Sequence, residues 1–337
     1  MAMREISKKT SIVLSFLLPA LVLVTFFFVN SHNSHEPLNS REVKLTYGFV
    51  VEEIPKESKS IRVWVPLPLS NAHQSVAVIE VRGDRSYRIV EETEYGNRFI
   101  VFDIAGSAVS QAGKVEVSID YDIVRSAISS MHEHGEQLNA DQLARYLGPS
   151  RLIPIDGKIA QEAYQTAGAV DNPFKQARLL YDHIVESLTY DKSGIGWGRG
   201  DAIYACDIRK GNCTDFHSLF IGQARSLNIP ARFIMGIPLP TNRNQGQIPG
   251  YHCWGEFYIE QKGWQPIDAS EASKFPEKKD SLFAALDEHR VAFTVGRDIN
   301  LPGANSEPLN YVIYPHVEID GEIHINVRTN FYFKDYR

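Results

Sequence analysis

The sequence predicts an α+β protein in which a mixed helix–strand core follows an all-β sandwich, with one apolar helix ahead of both. Three observations predict this. Half-buried strand patterns crowd residues 42–128 with no helical run among them. Helical periodicity takes over near Ser126 and then alternates with strands as far as Leu286. A charge-free run, Ser11–Val29, precedes everything else.

Met1–Thr10 carries Arg4, Lys8 and Lys9 against Glu5 alone. The apolar run behind it fits the roughly 17–25 residues that a bilayer-spanning helix needs. The basic flank predicts a cytoplasmic N-terminus with the remainder exported. A cleaved signal peptide and an uncleaved anchor are both readings of residues 1–31. The run is longer than a signal core and no Ala-x-Ala site follows, which favours the anchor. Residues 32–41 are polar and read as a tether. In 42–128, Ile61, Val63 and Val65 alternate with Arg62 and Trp64, and Val115, Val117, Ile119, Tyr121 and Ile123 alternate with polar residues. Tyr95-Gly96-Asn97 turns between two strands. Nothing there carries chemistry, so the sandwich reads as a structural domain.

Residues 129–290 form the expected core. Asp141–Leu147, Gly157–Ala167 and a run opening at Asp171-Asn172-Pro173 read as helices. Tyr190–Arg199 is a glycine-rich loop carrying Trp197. Lys210-Gly211-Asn212 makes a turn, and Phe216, Leu219, Phe220, Ala224 and Leu227 follow at helical spacing, so Cys213 opens a buried amphipathic helix. Free backbone N–H groups and the positive dipole end favour a thiolate at that position. Arg232–Ile237 reads as a strand and Pro238–Gly250 as a surface loop. Tyr251–Ile259 and Trp264–Asp268 read as a hairpin. A pairing centred on residue 260 would set His252 opposite Asp268 on one face. Residues 291–337, with strands at Tyr311–Ile319 and Ile323–Tyr332, are expected to complete the core sheet.

The chain has 337 residues and a net charge of −6, which gives no electrostatic case for nucleic acid. Its three cysteines, Cys206, Cys213 and Cys253, are too few for a disulfide scaffold. A pairing of Cys206 with Cys253 in an oxidising compartment is open. Cys253 follows His252 on a strand and is expected to face the other way, into the core.

Cysteine, histidine and aspartate in this order suit acyl transfer. The thiolate attacks, the imidazolium protonates the leaving group, and the carboxylate orients the ring. Zinc held by Cys206, Cys213, His217, His252 and Cys253 is the rival reading. The ligand types fit but no knuckle spacing supports them, so neither metal nor cofactor is expected.

The segments Gly211-Asn212-Cys213-Thr214-Asp215-Phe216-His217-Ser218-Leu219, Gly250-Tyr251-His252-Cys253-Trp254-Gly255-Glu256-Phe257 and Gly263-Trp264-Gln265-Pro266-Ile267-Asp268-Ala269 resemble the three core motifs of the transglutaminase-like superfamily. Asn228-Ile229-Pro230-Ala231-Arg232 is also typical of it. The resemblance covers about residues 130–290. It implies a papain-related α+β core with Cys213, His252 and Asp268 as a triad. It also implies a protein or peptide amide as substrate. Thr214-Asp215 stands where the animal crosslinking enzymes have a tryptophan, and the chain looks closer to the bacterial membrane-anchored cysteine peptidase/acyltransferase group. In the animal enzymes an upstream tryptophan supplies a second oxyanion donor. Trp197 is the counterpart by position, with plain loop packing the alternative. The resemblance gives the acyl-enzyme step better than the acceptor, water or an amine. A non-catalytic binding or scaffold module that keeps the fold is the alternative function.

Overall fold

The strands of residues 42–128 alternate as a two-sheet arrangement requires. β1 (Ser40–Val51) buries Val43, Leu45, Tyr47, Phe49 and Val51, and β6 (Val115–Ser126) buries Val115, Val117, Ile119, Tyr121 and Ile123. Between them lie β2 (Ser60–Pro66), β3 (Gln74–Arg82), β4 (Arg88–Glu91) and β5 (Arg98–Ala105). The computed structural model describes residues 39–83, 85–109, 113–129 and 137–336. The apolar run 11–29 lies outside the described residues. Among the described residues no helix is long and apolar enough to cross a membrane. β1 starts at Ser40, so the last two residues of the expected tether are strand.

The helical part opens with α1 (Ala140–Leu147), α2 (Gly157–Ala167) and α3 (Pro173–Ser187). Asn139 and Asn172 cap α1 and α3, accepting from the N–H groups of Gln142 and Lys175. β7 (Thr189–Tyr190), α4 (Ala202–Ile208) and β8 (Lys210–Gly211) lead into α5 (Cys213–Ser226). The chain continues through β9 (Ala231–Pro238), β10 (Gln245–Ile248), β11 (His252–Ile259), β12 (Gly263–Ile267), α6 (Ala269–Lys274) and β13 (Arg290–Val295). It finishes in β14 (His316–Ile319), β15 (Glu322–Ile323) and β16 (Val327–Asp335).

One sheet runs β12-β11-β9-β13, and α5 packs on β11 and β9. With α2, α3 and α4 against its other sides, α5 is buried from Cys213 to Arg225, polar residues included. The amphipathic helix expected from sequence is therefore a central helix.

Three expectations need correction. The C-terminal strands do not complete the core sheet. β16 pairs with β1, and β14 pairs with β2, so they close the two five-stranded sheets β10-β16-β1-β6-β3 and β15-β14-β2-β5-β4. Phe331 and Phe333 of β16 bury their rings there, and that burial outranks sequence proximity to the core. The expected loop 238–250 contains β10, which pairs with β16. The β11–β12 hairpin pairs Gly255 with Ile267 and Ile259 with Gly263, around a Gln261 at φ 73°. That register is centred on 261, not 260. His252 and Asp268 therefore share a face as diagonal rather than direct neighbours.

Trp64, on the outer face of β2, is also fully buried, because Ile299, Leu301 and Val312 cover it together with Phe99 and Val101. A single hydrophobic cluster extends from Val43 to Phe333, and residues 37–337 form one compact unit.

Candidate active site

The start of α5 is built by its own side chains. Asn212 precedes the helix, and its Oδ1 accepts from the Thr214 N–H at 2.9 Å. Asp215 reaches back to the Asn212 N–H at 2.9 Å, closing a reciprocal cap. The same carboxylate accepts from the Gly198 N–H at 2.7 Å and the Gly200 N–H at 3.0 Å. Asp215 thus ties the glycine-rich loop to the first turn of the helix. Burial nevertheless outweighs these donors and raises its pKa. A side chain at Gly211 would run into Asp215, so the turn needs its glycine.

Cys213 is the first residue of α5 and only 2% exposed. The Cys253 thiol hydrogen-bonds to it, and His252 stands on it as well. Against the opposing effect of burial, these hold the Cys213 thiol well below its ordinary range. His252 opens β11, and its Nε2 meets Asp268 Oδ2 at 2.6 Å, leaving Nδ1 for the thiol. Burial pulls the His252 pKa down, but Asp268 and the Cys213 thiolate push it up, to about 9. Of the three residues named from sequence, His252 and Asp268 are joined directly, and His252 and Cys213 shift each other toward their charged forms.

Asp268 is fully buried at the end of the hairpin, where the chain turns into α6. Besides His252, Oδ2 accepts from Arg290 Nη2 at 3.0 Å. Oδ1 accepts from Ser270 Oγ at 3.0 Å and the Glu271 N–H at 2.9 Å. Burial would raise its pKa, but His252, Arg290 and His217 together hold it well below the carboxylate range. Arg290, at the head of β13, also pairs with Asp287. Sequence reasoning missed it, since a charge ahead of Val291–Val295 looks like a solvated strand end. Asp215 did leave a signal, because Asn212-x-x-Asp215 has the spacing of a capping box.

Cys253 is buried, as expected of a core residue, and burial pushes its thiol pKa well up. His217, one turn along α5, is buried beside it. Its Nε2 accepts from the Ala269 N–H at 3.2 Å, and its Nδ1 is 3.8 Å from Cys253 Sγ. Burial lowers the His217 pKa to about 4, so the ring is neutral. Cys206 stands apart, with Sγ donating to Glu162 Oε2 at 3.1 Å. The zinc set considered from sequence is not assembled.

Among the described residues, His252, Asp268 and Glu271 bring donor atoms within 4.8 Å of one another. Both Asp268 oxygens and His252 Nε2 are already engaged in the bonds above, so the group forms a hydrogen-bond network. Trp197 is half-buried in the loop, one residue before Gly198, which Asp215 anchors.

A cysteine at a helix start, a histidine opening a strand and an aspartate just past the next strand define an α+β site. Residues 160–269 match the sequence profile of the transglutaminase-like superfamily. An uncharacterized protein of Haemophilus influenzae is 28% identical over 332 residues, spanning 87% of this chain and 89% of the relative. A crystal structure of a candidate cysteine protease from Cytophaga hutchinsonii superimposes with a TM-score of 0.60 at 19% identity, over 89% of this chain and 92% of that one. This second likeness is one of fold.

Proposed function

We propose that the protein is a cysteine-dependent acyl-enzyme former that acts on protein or peptide amides, with hydrolysis as its main outcome. The observation that carries this reading is the convergence of Cys213, His252 and Asp268 around a capped helix start. The Cys213 thiolate attacks the amide carbon. The His252 imidazolium, held by Asp268, protonates the departing amine. Water, activated by the now neutral His252, then attacks the thioester and releases the acid. An amine in place of that water would give transfer. Hydrolysis is the simpler outcome because water is always present.

The Cys213 backbone N–H is one oxyanion donor by position, and the Trp197 indole is the second in this reading. Trp197→Phe is expected to slow acyl transfer by ~10²-fold, the scale of one lost donor. An unchanged rate would return Trp197 to loop packing. The basic flank and the apolar run 11–29 support a membrane-tethered, extracytoplasmic placement. Recovery of the full chain in the soluble fraction without cleavage would argue against it.

The site is tested by iodoacetamide labelling of the full chain, read by peptide mass spectrometry. Cys213 is expected to label fast at pH 6 and to lose that rate in His252→Ala. Amide turnover is expected to fall as pH rises through about 9, where His252 gives up its proton. Cys213 labelling that rises only near the roughly 8.5 of a free thiol would reject the nucleophile and favour the binding-module reading.

A further inference from the structure

Between β14 and β16 lies a groove of about 470 Å³, within the ~300–1,000 Å³ of small-ligand sites. Tyr314, His316, Val317, Ile323, Ile325 and Val327 line it, and among the described residues no acid, lysine or arginine does. Burial lowers the His316 pKa, so that ring brings no charge at neutral pH. Ile325 is 84% exposed, Ile323 58% and Tyr314 42%. An apolar row of this kind, set around a concavity, marks a surface that meets something other than water.

Contacts link the groove to the nucleophile. The Tyr314 ring lies 6.3 Å from the Tyr251 ring, edge-on. Tyr251 immediately precedes His252, and its Oη accepts from Asn212 Nδ2 at 3.1 Å. Asn212 is the cap residue directly before Cys213. Tyr311 adds a third ring, 6.1 Å from Tyr251, and its Oη donates to the Gly198 carbonyl. A row of tyrosines therefore leads from the head of α5 to the groove. We propose that the groove is a substrate subsite, taking an aromatic or large aliphatic side chain of the polypeptide whose amide Cys213 attacks. The inference rests on the reading of Cys213 as the acyl-enzyme nucleophile. A charged side chain is excluded, because the lining offers no partner for it. An extended chain advances ~3.3–3.6 Å per residue, so the step from Tyr251 to Tyr314 is about two residues long. The recognised side chain therefore stands about two to four residues from the attacked amide. Concavity and continuity with the site favour a polypeptide over a bilayer as the occupant.

The test uses the full chain and iodoacetyl peptides that carry one phenylalanine behind a series of glycines, up to about five, in both chain directions. Alanine replaces phenylalanine in the controls. The Cys213 sulfur displaces iodide, and peptide mass spectrometry maps the adduct. At one spacing and in one direction, the second-order rate at Cys213 is expected to exceed the alanine control ~10-fold, the scale of one buried apolar side chain. Ile325→Asp, at an exposed position, is expected to abolish that enhancement and leave the rate with plain iodoacetamide unchanged. Equal rates at every spacing in both directions, or an enhancement that survives Ile325→Asp, would overturn the proposal. A changed oligomeric state or lost binding to lipid vesicles in Ile325→Asp, with the spacing dependence intact, would assign the patch to a second copy or a bilayer and overturn it as well. Plain iodoacetamide at pH 6 reports the nucleophile separately. Fast labelling without spacing dependence removes only the subsite. Slow labelling that His252→Ala does not change removes the proposed function, while the spacing series still decides the groove.

Discussion

Asp268 concentrates the geometry of the site on one carboxylate. One oxygen orients His252 and meets Arg290, and the other is held by Ser270 and the start of α6. Four donors leave it no freedom to rotate, so the imidazole it holds is fixed as well. Arg290 also neutralises the buried Asp268 charge while reaching the half-exposed Asp287. Arg290→Met is expected to cost about 3–5 kcal/mol, because it leaves the buried Asp268 carboxylate without its cation. Urea unfolding measures this, and a loss below about 1 kcal/mol would place the ion pair in a solvated setting. The linkage sign for His252 is opposite to that for Asp268. His252 has a raised pKa, so its contribution to stability is complete below the ordinary histidine value and is lost as pH rises through about 9. Cys213, His252 and Asp268 were legible in the sequence because each sits at a recognisable joint: a turn into a helix, a strand start, a hairpin end. Arg290 was not legible, because its partner lies 22 residues away and nothing local marks it. The contact of Cys253 with His217 was hidden by strand alternation, which gives a residue's face but not what packs on that face.

At the scale of elements, α5 depends on a side chain that joins two of them. Asp215 caps the helix and holds the Gly198 and Gly200 amides. Asp215→Ala leaves three backbone N–H groups without an acceptor. It is expected to cost at least about 2 kcal/mol, given ~1–3 kcal/mol for each buried group left unsatisfied. Cys213 labelling is expected to slow more than stability alone would require, since the loop carrying Trp197 comes loose. Thermal denaturation and labelling on the same sample separate the two effects. A stable variant with unchanged labelling would mean that the loop is held by its other contacts, which include Tyr311 Oη donating to the Gly198 carbonyl at 3.1 Å. The helices from α1 to α3 and the hairpin were readable from caps and periodicity. α4 was not, because seven residues give too little period to see. β10 was missed because glycine and glutamine in an edge strand look like loop.

Across the whole molecule, the sequence division into sandwich, core and C-terminal strands does not survive as separate bodies. β16 lies between β1 and β10, so the strand nearest the C-terminus takes an interior place in a sheet begun at Ser40. Tyr47 Oη donates to the Ile313 carbonyl at 2.8 Å, and its ring packs on Phe293 and Phe331. Residues 129–290 expressed alone are therefore expected not to fold, and far-ultraviolet circular dichroism with near-ultraviolet Trp signals checks this. A cooperative melt of that fragment would restore the modular picture. Alternation located strands such as β2, β5, β6 and β11, but strand order depends on pairings hundreds of residues apart, which no local pattern encodes. The position of β16 also bears on timing. β10 precedes His252 by four residues and rests on β16, so the approach to the histidine cannot be secured until almost the whole chain has been synthesised. During synthesis, the site is therefore expected to reach its final arrangement only after β16 has joined the sheet.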